Sequence, residues 1–413
     1  MARLADKGFE ARFCGGVVRD AVIGKLPKAK LAKKLDTNLD VDMASTAPPQ
    51  VAMEVLGGAG LKIIPTGMDH GTITIKEKGD NGGRVELTTL RADIKTDGRH
   101  AEVKFGEDWQ ADSNRRDFTI NSLYMDNSGK VFDFHNGVAD AKTGVLRFIG
   151  DPSRRLAEDY LRVLRYFRFH VDFNKMPPDA KTRTALTEAA PHLKKLSGER
   201  VYKELKGILA KYAPRTIDLM DELGIFRGLL AYPLNVDAYN SLQSFREQAL
   251  TSLRLRLRTL RLAVLVAERD AENFAYHLCM PASSRRLFLN LSKNMGDELV
   301  ATLIAPDSFW QTAVYNHASS LYFLVDWLVA TLARQAKTDK HYINRIQEIA
   351  DFKPKDMPVT GNDVIDITGG EGKQVGEYLN VLKEEWLASK FTMTRDQLLA
   401  YLKSHHQKTT RGE

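Results

Sequence analysis

Leu39-Asp40-Val41-Asp42-Met43-Ala44 alternates carboxylate and apolar side chains, and this alternation decides the fold of the first third of the chain. On a strand, successive side chains leave opposite faces. Asp40 and Asp42 therefore project to one side, while Leu39, Val41 and Met43 project to the other. Two carboxylates this close repel unless something positive lies between them, and Mg²⁺ with its oxygen ligands meets that need. A solvated strand edge carries the same pattern, so the pair alone leaves both readings open.

Two further segments bear on the choice. Gly15-Gly16-Val17-Val18-Arg19-Asp20 follows the strand-like Ala11–Cys14. Glycines between a strand and a helix let backbone N–H groups approach a phosphate, and Arg19 can add a charge-assisted contact. A tight turn with an exposed arginine is the plain alternative. Downstream, Val85-Glu86-Leu87-Thr88 turns Glu86 away from its apolar neighbours, either as a third active carboxylate or as a solvent-facing strand residue. Nucleotidyl transfer runs on positioning and electrostatics, and two metals can clamp the attacking and leaving oxygens. A phosphate-approachable turn, a carboxylate pair and a third acid are the parts it needs.

Arg115-Arg116-Asp117-Phe118-Thr119-Ile120-Asn121 adds Arg116 for a triphosphate, and Asp117 and Asn121 for a ribose hydroxyl; an ion-paired turn would look the same. Apolar spacing predicts one helix over 154–173, with Leu156, Tyr160, Leu164, Phe167 and Val171 as its core stripe. Glu158, Asp159, Arg162 and Arg165 fall on the opposite face, with Arg168 at its boundary. That face is either a solvated ion-pair ladder or an edge that reads a nucleobase through arginine donors and aspartate acceptors.

The 413 residues carry 60 Lys+Arg against 53 Asp+Glu, a net +7 that suits a polyanionic partner without requiring one. Cys14 and Cys279 stand alone, which argues against a disulfide framework or a zinc site and for a reducing cytoplasm. The charged N-terminus does not read as a signal peptide, and the apolar run Ser320–Ala333 is interrupted and too short to span a bilayer. Strand signals fill residues 1–150 and nearly vanish after Pro152, so the expected class is α+β: a mixed-sheet head followed by an all-helical remainder. In that remainder Arg254, Arg258 and Arg261 share a helical face that either meets RNA phosphates or is simply solvated. The run Gly369–Gly376 is either a phosphate grip or an ordinary turn. His405 and His406 are read as part of a polar tail.

Taken in order, Gly15–Asp20, Leu39–Ala44, Glu86–Arg91, Arg115–Asn121, Glu158–Arg162 and Ser197–Arg200 resemble the class II tRNA nucleotidyltransferase and bacterial poly(A) polymerase superfamily, within the polymerase-β-like nucleotidyltransferases. Asp97–Val103 followed by Asp108-Trp109 looks especially like the CCA-adding members. The resemblance implies a nucleotidyltransferase head over 1–150, a nucleotide-recognising neck over 151–215 and a tRNA-binding body and tail over 216–413. It implies Mg²⁺ in a two-metal site on Asp40 and Asp42, with Glu86 in support. Gly15, Gly16, Arg19 and Arg116 would meet the triphosphate. Asp159 and Arg162 would pair with the base of CTP or ATP, Glu158 would orient Arg162, and Arg165 and Arg168 would complete the pocket beside Asp117 and Asn121. Arg91 to about Phe105 corresponds to the loop that helps switch from CTP to ATP; Arg91, Asp93, Asp97 and Arg99 favour full CCA addition over A addition alone. Poly(A) synthesis on the same fold and a catalytically silent RNA-binding protein are the rivals. tRNA is the implied partner, with no membrane and no obligate protein partner. The basic stretch Lys25–Leu35 is longer than the family's usual connection and reads as a surface insertion or an added RNA contact.

Overall fold

A computed structural model of the chain describes residues 1–26, 41–58, 60–68, 71–76, 84–96, 101–173, 176–230, 232–248, 257–304, 310–316, 321–353 and 355–411. Asp40, most of the basic stretch Lys25–Leu35, Asp97, Arg99 and Arg254 lie outside them. The chain forms two compact units: Met1–Leu234 with Tyr276–Met280, and Asn235–Ala275 with Pro281–Glu413.

The first unit is built on a seven-stranded mixed sheet. Its strands are β1 (Ala11–Cys14), β2 (Val41–Ser45), β3 (Lys62–Gly67), β4 (Thr72–Lys76), β5 (Arg84–Thr89), and, after a separate hairpin of β6 (Arg91–Thr96) and β7 (Ala101–Phe105), β8 (Leu123–Met125) and β9 (Val131–Asp133). The order is β3-β4-β5-β2-β1-β8-β9, and among the described strands only β2 and β5 pair in parallel. Alternation sorts the faces as expected. Val41 is buried with Val17, Val18 and Leu123 beneath α1 (Gly16–Val22), whereas Asp42 is exposed. Leu87 packs with Ile73, Ala52 and Leu56, the last two from α2 (Pro49–Gly57). Cys14, Ala44, Leu90, Trp109 and Tyr124 form the core on the other face.

After β9 every described element is helical. The helix predicted over 154–173 is two helices, α3 (Pro152–Glu158) and α4 (Leu161–His170), broken at Asp159, whose backbone is extended at φ −154° and ψ 105°. The reason is chemical. The Asp159 carboxylate accepts the Leu161 N–H at 3.0 Å, a local bond that competes with helix continuation and starts the next helix instead. Leu156, Leu164 and Phe167 are buried as the wheel requires, but Tyr166 is buried too, while Tyr160 and Val171 are only half-buried. α5 (Gly198–Ile208) and α6 (Pro214–Glu222) follow in the same unit.

In the second unit the arginine face is corrected. Arg258 is exposed, but Arg261 is 5% exposed, because Leu260, Leu262, Ala263, Val264 and Leu265 around it are all buried and the helix is enclosed by its neighbours. A phosphate cannot reach Arg261 there. Gly369–Gly372 links two helices: Gly369 closes Gly361–Thr368 in a left-handed conformation, and Gly372 precedes Lys373–Ala388. His405 and His406 lie on the helix Arg395–Arg411, where His406 Nδ1 is 2.7 Å from the Tyr378 hydroxyl, rather than in a loose tail. Among the described residues no helix is long and apolar enough to cross a membrane.

Candidate active site

Strand pairing decides which carboxylates meet. β2 and β5 run parallel with Asp42 opposite Glu86, and residues in register on paired strands leave the sheet on the same face. Glu86 is engaged by Arg84, with both side chains about half exposed. An exposed pair of this kind contributes about 0–1 kcal/mol, so a divalent cation can displace the arginine. Among the described residues no group of three or more His, Cys, Asp or Glu is assembled as a metal cage; Asp40, the other half of the expected pair, lies outside the described residues. The donor set is all oxygen and anionic, which fits a hard cation such as Mg²⁺.

The glycine turn sits at the end of β1. Gly15 adopts φ 70° and ψ −130°, a conformation open to glycine and costly for other residues. Its N–H donates to the Leu123 carbonyl at 3.0 Å, closing the turn onto β8. Arginines line it. A Cβ added at Gly15 would lie 3.6 Å from Arg116 Nη1, and one at Gly16 3.5 Å from Arg19 Nη2. Arg19 donates to Asn121 Oδ1 and to Asp20 Oδ1, each at 2.8 Å.

Arg116 is fixed from below. It donates to the Tyr124 hydroxyl at 3.1 Å, to Asp112 Oδ2 at 3.2 Å and to the Asn121 carbonyl at 3.3 Å. Asp112 is 1% exposed and also accepts from Arg115 and from the Tyr124 hydroxyl. Burial pushes the Asp112 carboxyl up, but Arg116, Arg115 and Tyr124 together hold it below the usual carboxylate range. The neighbouring Cys14 thiol is pushed up by burial, and the charges of Arg116 and Asp42 both reach it. That thiol ties the carboxylate strand and the Arg116 loop to one locality.

The polar face of α3 and α4 is engaged throughout. Glu158 Oε2 takes Arg155 Nη1 and Arg162 Nη1, each at 2.6 Å. Asp159 Oδ2 accepts from Arg200 at 2.8 Å, so the acid and Arg162 are held by different partners across the helix break. Arg165 reaches back to Asp117 at 2.7 Å. Burial pushes Asp117 up, but Arg165, with Arg162 and the Phe118 N–H, outweighs it and leaves the carboxyl depressed. Asp117 and Asn121 thus hold arginines in this state rather than standing free for a ribose. Arg168 pairs with the buried Glu204 at 3.3 Å, and burial lowers its pKa despite that partner.

The residue pattern of the Poly A polymerase head domain matches residues 11–147, and that of the probable RNA and SrmB-binding site of polymerase A matches residues 175–234. The mitochondrial CCA tRNA nucleotidyltransferase 1 of Mus musculus is 34% identical over 97% of this chain and 88% of its own length. The chain belongs to the CCA tRNA nucleotidyltransferase family. The Homo sapiens relative is 33% identical over 95% of this chain and 86% of its own length. For the fold, the Bacillus stearothermophilus CCA-adding enzyme in complex with CTP superposes with a TM-score of 0.69 at 23% identity, covering 100% of this chain and 97% of that one. The mixed-sheet head and helical remainder expected from the sequence are those of CCA-adding enzymes.

In this nucleotidyltransferase the sequence assigns no role to Asp112, Tyr124, Arg155 or Arg200. Asp112 precedes Arg116 by four residues in a helical stretch, a spacing that announces an ion pair. Tyr124 and Arg200 act across the fold and leave no local signal.

Proposed function

We propose that this chain completes the 3′ end of tRNA by adding C, C and A from CTP and ATP, and that Asp42 and Glu86, with Asp40, are its catalytic carboxylates. The observation that carries the assignment is the register of Asp42 against Glu86 on adjacent parallel strands, beside the arginine-lined Gly15 turn. These carboxylates would hold Mg²⁺ at a two-metal site, where the bound ions would polarise the triphosphate and lower the pKa of the RNA hydroxyl. In the transfer, the terminal RNA 3′-oxygen forms a bond to the α-phosphorus, and the bond to pyrophosphate breaks. Gly16 binds the triphosphate through its backbone N–H on the turn that Gly15 holds, and Arg19 and Arg116 add guanidinium forks. Asp159 and Arg162 read the base edge, Glu158 aims Arg162, and Arg165, Arg168, Asp117 and Asn121 wall the pocket.

The head over 1–150 would then hold the chemistry, the neck over 151–215 the nucleotide choice, and the helices over 216–413 the tRNA. The named function of the mouse and human relatives and the CTP bound in the Bacillus structure support this reading. A cytoplasmic location is part of the proposal; the vertebrate relatives are named mitochondrial, so imaging the full chain beside a mitochondrial marker decides it.

The test is a tRNA transcript lacking its last three nucleotides, incubated with the protein and Mg²⁺ and resolved at single-nucleotide length. CTP alone should add two residues, and CTP with ATP should add three and stop. Extension by ATP only on RNA already ending in CC would make it an A-adding enzyme. Long A tails would make it a poly(A) polymerase, and no extension would leave RNA binding without chemistry.

A further inference from the structure

Arg155 lies three residues before Glu158 and outside every sequence block that carries the family resemblance. Its side chain is 12% exposed and works at both ends of the pocket. Nη2 donates to the carbonyls of Arg115 and Arg116, each at 2.7 Å. Nη1 donates to Glu158 Oε2 at 2.6 Å, the oxygen that also takes Arg162 Nη1. The backbone carbonyl of Arg155 accepts from that same Arg162 nitrogen at 2.6 Å. The Arg155 guanidinium therefore holds the Glu158 oxygen that fixes Arg162 beside the Arg155 carbonyl, and its other end holds the backbone that presents Arg116 to the Gly15 turn.

We propose that Arg155 is a positioning residue for nucleotide choice, fixing the spacing between the triphosphate-facing Arg116 and the base-reading Arg162. The inference rests on the roles proposed above for those two residues. A planar fork can serve two carbonyls and a carboxylate at once, whereas an ammonium on a flexible stem cannot hold all three in that geometry. The fold does not hang on Arg155 alone. Arg165, ten residues further on and past the helix break, ties α4 itself to Asp117, so loss of Arg155 tilts the base-reading helix rather than releasing it. A tilt of this kind is felt in the choice of base, because hydrogen-bond discrimination fails once donors leave the plane of the base edge.

The experiment compares the full-length wild type with Arg155→Lys and Arg155→Gln on tRNA lacking its CCA end, using CTP and UTP as competing substrates. In both variants kcat/KM for CTP should fall by about 10- to 100-fold, and the preference for CTP over UTP by at least about tenfold. KM for tRNA should stay within about twofold, and the unfolding midpoint within about 4 °C of wild type. An unchanged CTP-over-UTP preference in both variants overturns the inference. So does loss of cooperative unfolding in both, which would make Arg155 a folding residue. A wild-type protein that adds no nucleotide to this tRNA sinks the proposed function and this inference together, whereas an active wild type with insensitive variants sinks the inference alone.

Discussion

At the scale of single residues, the site is a set of charges whose partners are already chosen. Asp42 and Glu86 share a face, and Asp42→Ala should lower CTP incorporation by at least about a hundredfold, as expected when a group that stabilises the transition state is removed. tRNA binding, read by filter retention, should be largely kept; near-normal incorporation would remove Asp42 from the chemistry. Asp112 is a different case, because it is 1% exposed and its partners are all internal. It is buried under three donors, and Asp112→Ala would strand Arg116 and Arg115 without their anion. Breaking a buried pair from one side costs about 3–5 kcal/mol. Denaturant unfolding at neutral pH should show a loss of that order, and a change under about 1 kcal/mol would mean that solvent already screens the pair.

At the scale of elements, much was legible and the exceptions have physical causes. Residues 41–45 and 84–89 announce themselves by alternation: the exposed Asp42 stands between buried Val41 and half-buried Met43, and Leu87 and Thr89 are buried while Arg84, Glu86 and Thr88 are more open. Lys62–Gly67 does not, since Pro65 interrupts its pattern, and Leu123–Met125 is too short to show a period. The break at Asp159 was hidden because helical spacing resumes after it with Arg162, Arg165 and Arg168 still three residues apart. Gly15 holds the turn between β1 and α1, and Gly15→Ala should cost about 1–3 kcal/mol for the left-handed backbone alone. A wild-type unfolding midpoint in that variant would show that the turn relaxes. His170, at the end of α4, is 4% exposed, and its Nδ1 lies 3.0 Å from the Thr216 hydroxyl of α6. Burial lowers its pKa to about 4. The unfolded chain binds this proton below pH 6.5 and the folded chain only below about pH 4, so the unfolded state holds more protons in between. Stability is full above pH 6.5 and falls as pH drops toward 4, by about 3 kcal/mol from this group. His170→Gln should flatten that part of the pH–stability curve; an unchanged slope would assign it to other groups.

For the whole molecule, the question is whether the two units report separately. Each has its own buried core: Leu4, Ile73 and Leu87 in the first, and Val364, Leu382, Trp386 and Leu402 in the second. The residues proposed for the nucleotide, Gly15 to Arg168, all belong to the first unit, whereas Arg261 shows that charge in the second cannot be read as RNA contact without burial. The four tryptophans divide unevenly, with Trp109 in the first unit and Trp310, Trp327 and Trp386 in the second. A ligand that binds only the folded state stabilises by mass action, by about 2.7 kcal/mol at a hundred times its Kd. CTP should therefore shift the unfolding seen through Trp109 and leave the transition of the other three in place. Comparing wild type with Trp109→Phe by fluorescence in rising urea, with and without CTP, separates the two signals. A single transition that CTP moves as a whole, and that Trp109→Phe reports unchanged, would mean the chain unfolds as one cooperative body. Nucleotide held in the first unit would then stabilise the helices of the second as strongly as the sheet.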